Sequence, residues 1–174
     1  MAGRYSCAAE REDGPVSDLV DPVAVRLHAA LLARSETVAA AESLTAGLFC
    51  ATLATVAGAS ATLRGGVVVY ATELKTELAG VPAGLLARHG PVSRETAAAL
   101  AGGVRERCGA SWGVGLTGVA GPEPVDGHAP GRVYLGIADG RRTEVHQLDL
   151  TGDRAAVRTA AVATALELLL ARLG

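Results

Sequence analysis

The chain has 174 residues, of which 49% are hydrophobic and 3% aromatic, and its formal net charge at pH 7 is −2. This length is typical of one domain, and the apolar fraction is too high for a disordered chain. The near-neutral charge and the scarcity of aromatic residues argue against a nucleic-acid-binding protein. The sequence has no apolar run long enough for a membrane span and no signal-peptide pattern at the N-terminus. We therefore expect a cytoplasmic protein with neither nucleic acid nor membrane as a partner.

The cysteines and histidines give no sign of a disulfide framework or a metal site. Cys7, Cys50 and Cys108 are odd in number and far apart, and the four histidines share no metal-ligand spacing. Both patterns are typical of a protein from a reducing compartment. We expect no metal and no cofactor.

The predicted elements follow one another without a linker or an internal repeat. Residues 1–17 are polar and predict a mobile N-terminal tail, so the domain is expected over 18–174. Hydrophobic spacing, caps and turn residues then predict, in chain order, a helix over 22–34, a strand over 37–41, a helix over 45–56, a strand over 65–70, short helices from Thr72 and Pro82, a long helix capped by Ser93, a strand over 112–116, a hairpin of strands 132–138 and 143–150 around Asp139-Gly140, and a helix over 153–172.

This order of elements predicts an α/β fold. Helices and strands mix along the whole length, and the last two strands form a hairpin. A mixture of crossover helices and a hairpin is typical of a mixed sheet with helices on its faces. The predicted architecture is a single three-layer α/β/α domain.

Lys75 is the only lysine among 16 basic residues. If Thr72 is the N-cap of its helix, Lys75 is the third helical residue, where the positive end of the helix dipole disfavours a cation. The same field and partial burial would favour the neutral amine, which Arg cannot supply. Lys75 is therefore either a general base or an ordinary solvated lysine.

Two segments place small hydroxyl residues near strand ends. In AESLTAG, Ser43 and Thr45 follow a strand and open a helix, so they either bind an anion at the helix N-terminus or merely cap the helix. In GASAT, Ser60 precedes the valine-rich strand whose other end leads to Lys75. Ser60 is either part of a turn or a partner of Lys75.

Two further segments have the composition of ligand-binding loops. In GLTGVAGP, Thr117 ends a strand, and Gly118 and Gly121 would let the backbone approach a ligand closely. At the start of the last helix, Arg154 and Arg158 lie four residues apart on one face. These arginines form either a phosphate clamp or an exposed basic face.

The order of these motifs resembles the C-terminal domain of CinA, the family of stand-alone nicotinamide-mononucleotide amidohydrolases called PncC. AESLTAG, GASATLRGGVVVYATELK, GLTGVAGP and LTGDRAAVR occur in the family's order, and the similarity spans residues 22–172. The resemblance implies a compact α/β/α homodimer that needs no metal. It also implies hydrolysis of the carboxamide of nicotinamide mononucleotide (NMN) to nicotinate mononucleotide and ammonia, a step of pyridine-nucleotide salvage.

By position, the resemblance assigns catalytic roles to Ser60, Lys75, Tyr70 and Ser43. It assigns substrate-binding roles to Thr45, Thr117, Gly118, Gly121 and Arg154. The chain departs from the family pattern at Leu44 and Ala46, at Thr72 in place of an asparagine, and in the loop over 122–132. The last change touches the expected substrate rim.

The resemblance and the chemistry of Lys75 together predict an acyl-transfer mechanism. We expect Ser60 to attack the carboxamide carbon, neutral Lys75 to take its proton, and Tyr70 to relay or stabilise that proton. Ser43 is the alternative nucleophile and otherwise positions the substrate, while Arg154 meets the phosphate and Thr117 the ribose. Two alternative functions remain: a catalytically degenerate module that binds a nucleotide or a partner, and an amidase for a related nucleotide.

Overall fold

The computed structural model describes residues 20–174. The tail predicted over 1–17, with Cys7, lies outside the described residues. In chain order the elements are α1 Pro22–Ala33, β1 Val38–Glu42, α2 Leu48–Ala54, β2 Leu63–Val68, α3 Thr72–Glu77, α4 Ala83–His89, α5 Arg94–Cys108, β3 Trp112–Gly118, β4 Arg132–Ala138, β5 Thr143–Asp149 and α6 Arg154–Leu173. A 3-10 helix, Ala59–Ala61, precedes β2. No helix within 20–174 is both long and apolar enough to cross a bilayer.

The five strands form one mixed sheet in the order β2-β1-β3-β4-β5. β1 runs parallel to both of its neighbours, β2 and β3. β4 is antiparallel to β3 and to β5, which confirms the predicted hairpin. The carboxyl ends of β1, β2 and β3 therefore meet at one edge, where open α/β sheets bind their ligands.

Helices cover both faces of the sheet, which confirms the three-layer prediction. On one face, α1, α2 and α6 pack over a core that includes Leu27, Phe49 and Leu166. On the other face, α3, α4 and α5 pack over a smaller core around Val69 and Leu100. Each residue of the central strand β1 is buried, because strands flank it on both sides and helices cover both faces.

α5 lies unusually close to the sheet because β3 and β4 present glycines beneath it. A Cβ on Gly115 would lie 2.5 Å from the carbonyl oxygen of Ala97 and 2.6 Å from the amide nitrogen of Ala101. Backbone atoms cannot yield to such a contact, so this crossing requires glycine. The close packing fixes the end of β3 and the loop that follows it.

Two helix starts differ from the sequence prediction, and both lie next to the catalytic candidates. α2 begins at Leu48 rather than at residue 45, and its N-cap is Gly47 with a φ of +95°. α3 has Ala71 rather than Thr72 as its N-cap, without a side-chain cap, so Lys75 is its fourth residue. At α2 the carboxylate of Glu42 on β1 accepts the first amides of the helix, whereas no side chain caps α3.

Candidate active site

A cavity of about 230 Å³ opens at the edge where the three parallel strands end. The segments after β1, β2 and β3 line it, together with the first residue of α6. Of the predicted site residues it gathers Ser43, Tyr70, Lys75, Thr117, Gly118, Gly121 and Arg154. Pockets that enclose drug-sized ligands measure about 300–1,000 Å³. This cavity would thus enclose part of such a ligand and leave the rest at the rim.

Lys75 and Ser43 are in direct contact at the base of the cavity. Nζ of Lys75 lies 3.1 Å from Oγ of Ser43, 2.8 Å from the carbonyl oxygen of Val69 and 3.5 Å from that of Tyr70. A neutral amine has two N–H donors and one lone pair. The two carbonyls can take both donors, which leaves the lone pair for the Ser43 hydroxyl. This is the arrangement that a base beside a nucleophilic alcohol requires.

The surroundings of Lys75 favour its neutral form. The residue is only 2% exposed. Burial lowers its pKa from the ordinary value of 10.5, and the Glu73 carboxylate opposes that shift only in part. Within residues 20–174, no carboxylate lies within ion-pair distance of the amine. Desolvation without a paired anion is the condition under which a lysine becomes a base.

A buried carboxylate that the sequence reasoning missed shapes the backbone beside Ser43. Glu42 is 1% exposed, and its two oxygens accept the amides of Gly47, Phe49 and Cys50 at 3.0, 3.1 and 3.0 Å. The protein's own carboxylate thus occupies the helix N-terminus where a ligand anion was expected. The sequence signal for this role was the position of Glu42, a charged residue at the end of the otherwise apolar strand β1.

Glu42 also affects the nearest cysteine. Burial, together with the Glu42 charge, raises the pKa of Cys50 to about 12. The thiol is therefore protonated at neutral pH and unsuited to nucleophilic attack.

Arg158 braces the turn that carries Ser43. Its Nε donates to the carbonyl of Leu44 at 3.0 Å and its Nη2 to that of Thr45 at 2.8 Å. Arg158 does not line the cavity, whereas Arg154 does. The prediction that both arginines clamp a phosphate is therefore wrong. Thr45 is also absent from the cavity wall: it is fully buried, and its hydroxyl finds no partner in the described part of the chain.

Ser60 does not meet Lys75 within this chain. It lies in the 3-10 helix before β2, whereas Lys75 follows β2. A strand of six residues spans about 20 Å. Ser60 is exposed and lines a separate surface pocket with residues 54–59 and Leu63. The expected pairing of Ser60 with Lys75 therefore does not form within one chain, where Ser43 is the serine that contacts Lys75.

Tyr70 and Arg154 form the rim rather than the base of the cavity. The phenol is held by Arg154, whose Nη2 donates to it at 2.5 Å, and Nη1 of the same guanidinium donates to the carbonyl of Gly121 at 3.0 Å. Tyr70 is 55% exposed, and only its backbone carbonyl contacts Lys75. The expected proton relay through the phenol therefore has no hydrogen bond to carry it.

The loop after β3 supplies backbone donors to the cavity wall. Thr117 is buried, and its hydroxyl donates to the carbonyl of Pro91 at 2.6 Å. Gly121 has a φ of +86°, a conformation that favours glycine. The amides of Leu44, Ala120 and Gly121 find no acceptor within residues 20–174. Free amides at a cavity wall can stabilise a developing negative charge.

Two exposed carboxylates, Glu123 and Asp126, stand on the same rim. They belong to the loop in which the sequence departs from the family pattern. Across residues 20–174, no three His, Cys, Asp or Glu side chains gather as a metal site would require. The groups of the rim that are charged at neutral pH are thus one guanidinium and two carboxylates.

The chain is similar to proteins of one family. The family model described as "CinA C-terminal domain" matches residues 20–173. A CinA-like protein of Frankia casuarinae is 47% identical over 156 residues, covering 90% of this chain and 35% of its own length. A second CinA-like protein, from Anaeromyxobacter dehalogenans, is 49% identical over 142 residues, covering 81% of this chain and 35% of its own length. The chain thus spans about a third of the length of the curated relatives it matches.

Solved structures give the same result at the level of the fold. A CinA superfamily protein from Klebsiella pneumoniae superposes with a TM-score of 0.84 at 30% identity, covering 92% of this chain and 98% of that one. A competence/damage inducible protein from Agrobacterium tumefaciens superposes with a TM-score of 0.81 at 33% identity, covering 91% and 95%. The layered sheet described above is therefore the fold of these proteins.

Proposed function

Because the chain belongs to the CinA C-terminal domain family, we propose that it is an amidohydrolase that converts NMN to nicotinate mononucleotide and ammonia. The observation that carries the proposal is the contact of 3.1 Å between Nζ of Lys75 and Oγ of Ser43. A buried amine without a counterion beside an alcohol is suited to general-base activation of that alcohol.

In the first half of the reaction, Oγ of Ser43 attacks the carboxamide carbon and its proton passes to the lone pair of Lys75. The C–N bond then breaks, and the Lys75 ammonium returns the proton to the departing nitrogen, which leaves as ammonia. The product on the enzyme is an ester between the nicotinoyl carbon and Ser43. In the second half, water attacks this ester with Lys75 again as the base, which releases the carboxylic acid and restores the serine.

The rest of the cavity has groups for the remaining parts of the substrate. Arg154 at the rim would pair with the phosphate, since a guanidinium matches that group geometrically. The loop of Thr117, Gly118 and Gly121 would contact the ribose. The free amide of Leu44, next to the nucleophile, would hold the oxyanion of the tetrahedral intermediate.

The experiment measures ammonia release from NMN by the wild-type chain and by two serine variants. We expect Ser43→Ala to lower kcat by at least about 10³-fold, because it removes the nucleophile. Ser60→Ala is the matched control, because Ser60 is exposed and does not line the cavity that holds Ser43. The kcat of this variant should stay within about two-fold of wild type. Loss of turnover in Ser60→Ala with retention in Ser43→Ala would contradict the proposal.

A second candidate is an amidase for a related nucleotide, which Glu123 and Asp126 on the rim favour. Two carboxylates beside Arg154 would repel a phosphate bound there. If NMN is not hydrolysed but another nucleotide amide is, with loss in Ser43→Ala, this second candidate replaces the first. Binding of NMN without release of ammonia from any amide would instead indicate a binding module.

A further inference from the structure

A second cavity, of about 430 Å³, lies at the opposite edge of the sheet, between the start of β3 and the β4–β5 turn. Its wall carries two carboxylates and a third of all the arginines of the chain: Arg34, Arg105, Arg141, Arg142 and Arg172. Five positive and two negative side chains give the wall a formal charge of +3, whereas the whole chain carries −2. A concave wall with a net positive charge concentrates anions.

The two carboxylates of this wall, Asp139 and Glu36, accept hydrogen bonds from its other residues. Asp139 accepts the amides of Arg141 and Arg142 at 2.8 and 2.9 Å and Nη2 of Arg172 at 3.0 Å. Glu36 accepts Nε1 of Trp112 at 2.8 Å and Nε of Arg34 at 3.1 Å. Asp139 thus neutralises the charge of Arg172, and Glu36 neutralises that of Arg34. These hydrogen bonds also hold the wall in shape.

The pKa values of Asp139 and Glu36 are both lowered, as expected for ionised carboxylates that accept hydrogen bonds. Hydrogen bonding, first from the amide of Arg142, holds the pKa of Asp139 below its usual value. Burial alone would raise the pKa of Glu36, but the bonds from Trp112 and Arg34 leave it lowered. Both groups therefore stay charged at neutral pH and keep their arginine partners.

Three guanidinium groups of the wall keep spare donors. Arg105 makes one long hydrogen bond, 3.4 Å from Nη1 to the carbonyl of Ala110. The side chain of Arg141 donates to no residue within 20–174. Arg142 lies 4.0 Å from Asp139 and 3.5 Å from Glu144, and its side chain is 65% exposed. Within residues 20–174, Arg105 and Arg141 thus have no carboxylate partner, whereas Arg142 is paired with Asp139 and Glu144.

From this cavity we propose that the chain has an anion site for a phosphate group, with Arg105 and Arg141 as its principal ligands. Guanidinium groups pair with phosphate oxygens through two parallel bonds, and the volume lies in the range of small-molecule pockets. Glu36 precedes β1 and Ser43 follows it, so the length of the strand, about 17 Å, separates this site from the candidate active site. The phosphate site therefore does not depend on the proposed function.

Trp112 gives a direct signal for binding, since it is the only tryptophan of the chain and lies in the wall of this cavity. The experiment titrates the full chain with inorganic phosphate, pyrophosphate or adenosine monophosphate and records tryptophan fluorescence, with sodium chloride at equal ionic strength as the salt control. We expect a saturable change with a phosphate compound and none with chloride. A response confined to the inorganic ions identifies free phosphate as the ligand, and a response to the nucleotide identifies a phosphate ester.

Three variants assign that response to the cavity. Arg105→Gln combined with Arg141→Gln should weaken binding by at least about ten-fold, because each lost guanidinium removes a charge-assisted pair. Arg88→Gln changes the same charge on exposed α4 and should bind like wild type. Arg154→Gln should also keep the response, because Arg154 lines the other cavity.

If the double variant does not fold, Arg141→Gln alone replaces it in the titration. This single variant should fold, because Arg141 lies in an exposed turn. Circular dichroism checks the fold of each variant. The proposal is overturned if no phosphate compound gives a saturable response, if the folded Arg141 variants respond like wild type, or if Arg154→Gln removes the response.

Discussion

Lys75 shows why a protein rich in arginine would keep one lysine. An arginine at this position would remain charged at any pH the protein meets, whereas the lysine amine can lose its proton. The carbonyls of Val69 and Tyr70 give the neutral amine two acceptors and direct its lone pair towards Ser43. Burial and hydrogen-bond geometry thus act together on a single nitrogen atom.

Substitution of Lys75 by arginine should separate charge from basicity. Lys75→Arg keeps the positive charge but removes the base, so we expect kcat for ammonia release to fall by about 10²–10⁴-fold. The matched control is Arg64→Lys, an exposed basic residue that does not line the cavity, which should leave kcat unchanged. Turnover near the wild-type level in Lys75→Arg would contradict the assignment of Lys75 as the base.

The pairing of Ser43 with Lys75 could not be predicted from the residues nearby in sequence. These two residues are 32 positions apart and meet only because β1 and β2 are adjacent parallel strands. The resemblance assigned roles to both serines but left the choice of nucleophile open. Within one chain the topology favours Ser43, since Ser60 and Lys75 flank opposite ends of β2.

At the scale of elements, the type and order of the helices and strands could be predicted, because hydrophobic period, caps and turn residues are local signals. The Ser93 cap and the Asp139-Gly140 hairpin lie where they were expected, and the strand expected over 65–70 is present as β2, with the bounds Leu63–Val68. The start of α2 could not be predicted, because its amides are satisfied by Glu42 on the preceding strand rather than by a residue of the local turn.

The crossing of α5 over β3 gives a prediction about stability. In Gly115→Ala the new methyl group would lie 2.5 Å from the Ala97 carbonyl oxygen, so we expect the free energy of unfolding to fall by about 1–3 kcal/mol. Gly102→Ala on α5 itself is the control, since a Cβ there meets nothing within 4 Å. Alanine is favoured over glycine in a helix interior, so Gly102→Ala should raise stability by about 0.5–1 kcal/mol. Urea denaturation measures both changes, and equal stability of the two variants would contradict the close packing.

At the scale of the whole molecule, the mixed sheet and its two helical layers match the solved structures of CinA superfamily proteins. Both cavities depend on that architecture, because each forms at one end of the parallel strands. The homodimer expected from the resemblance stays a prediction, as does a small-molecule nucleotide as the ligand.

The pKa of Lys75 makes the stability of the whole fold depend on pH. Burial lowers this pKa in the native state from the ordinary 10.5, so between the native value and 10.5 the unfolded chain binds the extra proton. Stability therefore rises with pH across that window, and the cost of burying the charge is fully present below it. Lys75→Met removes this group, so the stability of wild type relative to Lys75→Met should increase as the pH approaches 10.5.

Urea denaturation of both proteins at several pH values measures this difference. The two proteins are compared with each other at each pH, so titrations common to both chains cancel. A stability difference that stays constant or falls with rising pH would contradict a lowered Lys75 pKa.

The most direct test of the central claim is the titration of the Lys75 amine itself by NMR. Because Lys75 is the only lysine, a chain labelled with ¹³C- and ¹⁵N-lysine gives one side-chain signal. We predict that this signal titrates below 10.5 and that its chemical shift changes in Ser43→Ala. A pKa at or above 10.5, with a signal indifferent to Ser43→Ala, would contradict a neutral amine poised beside the nucleophile.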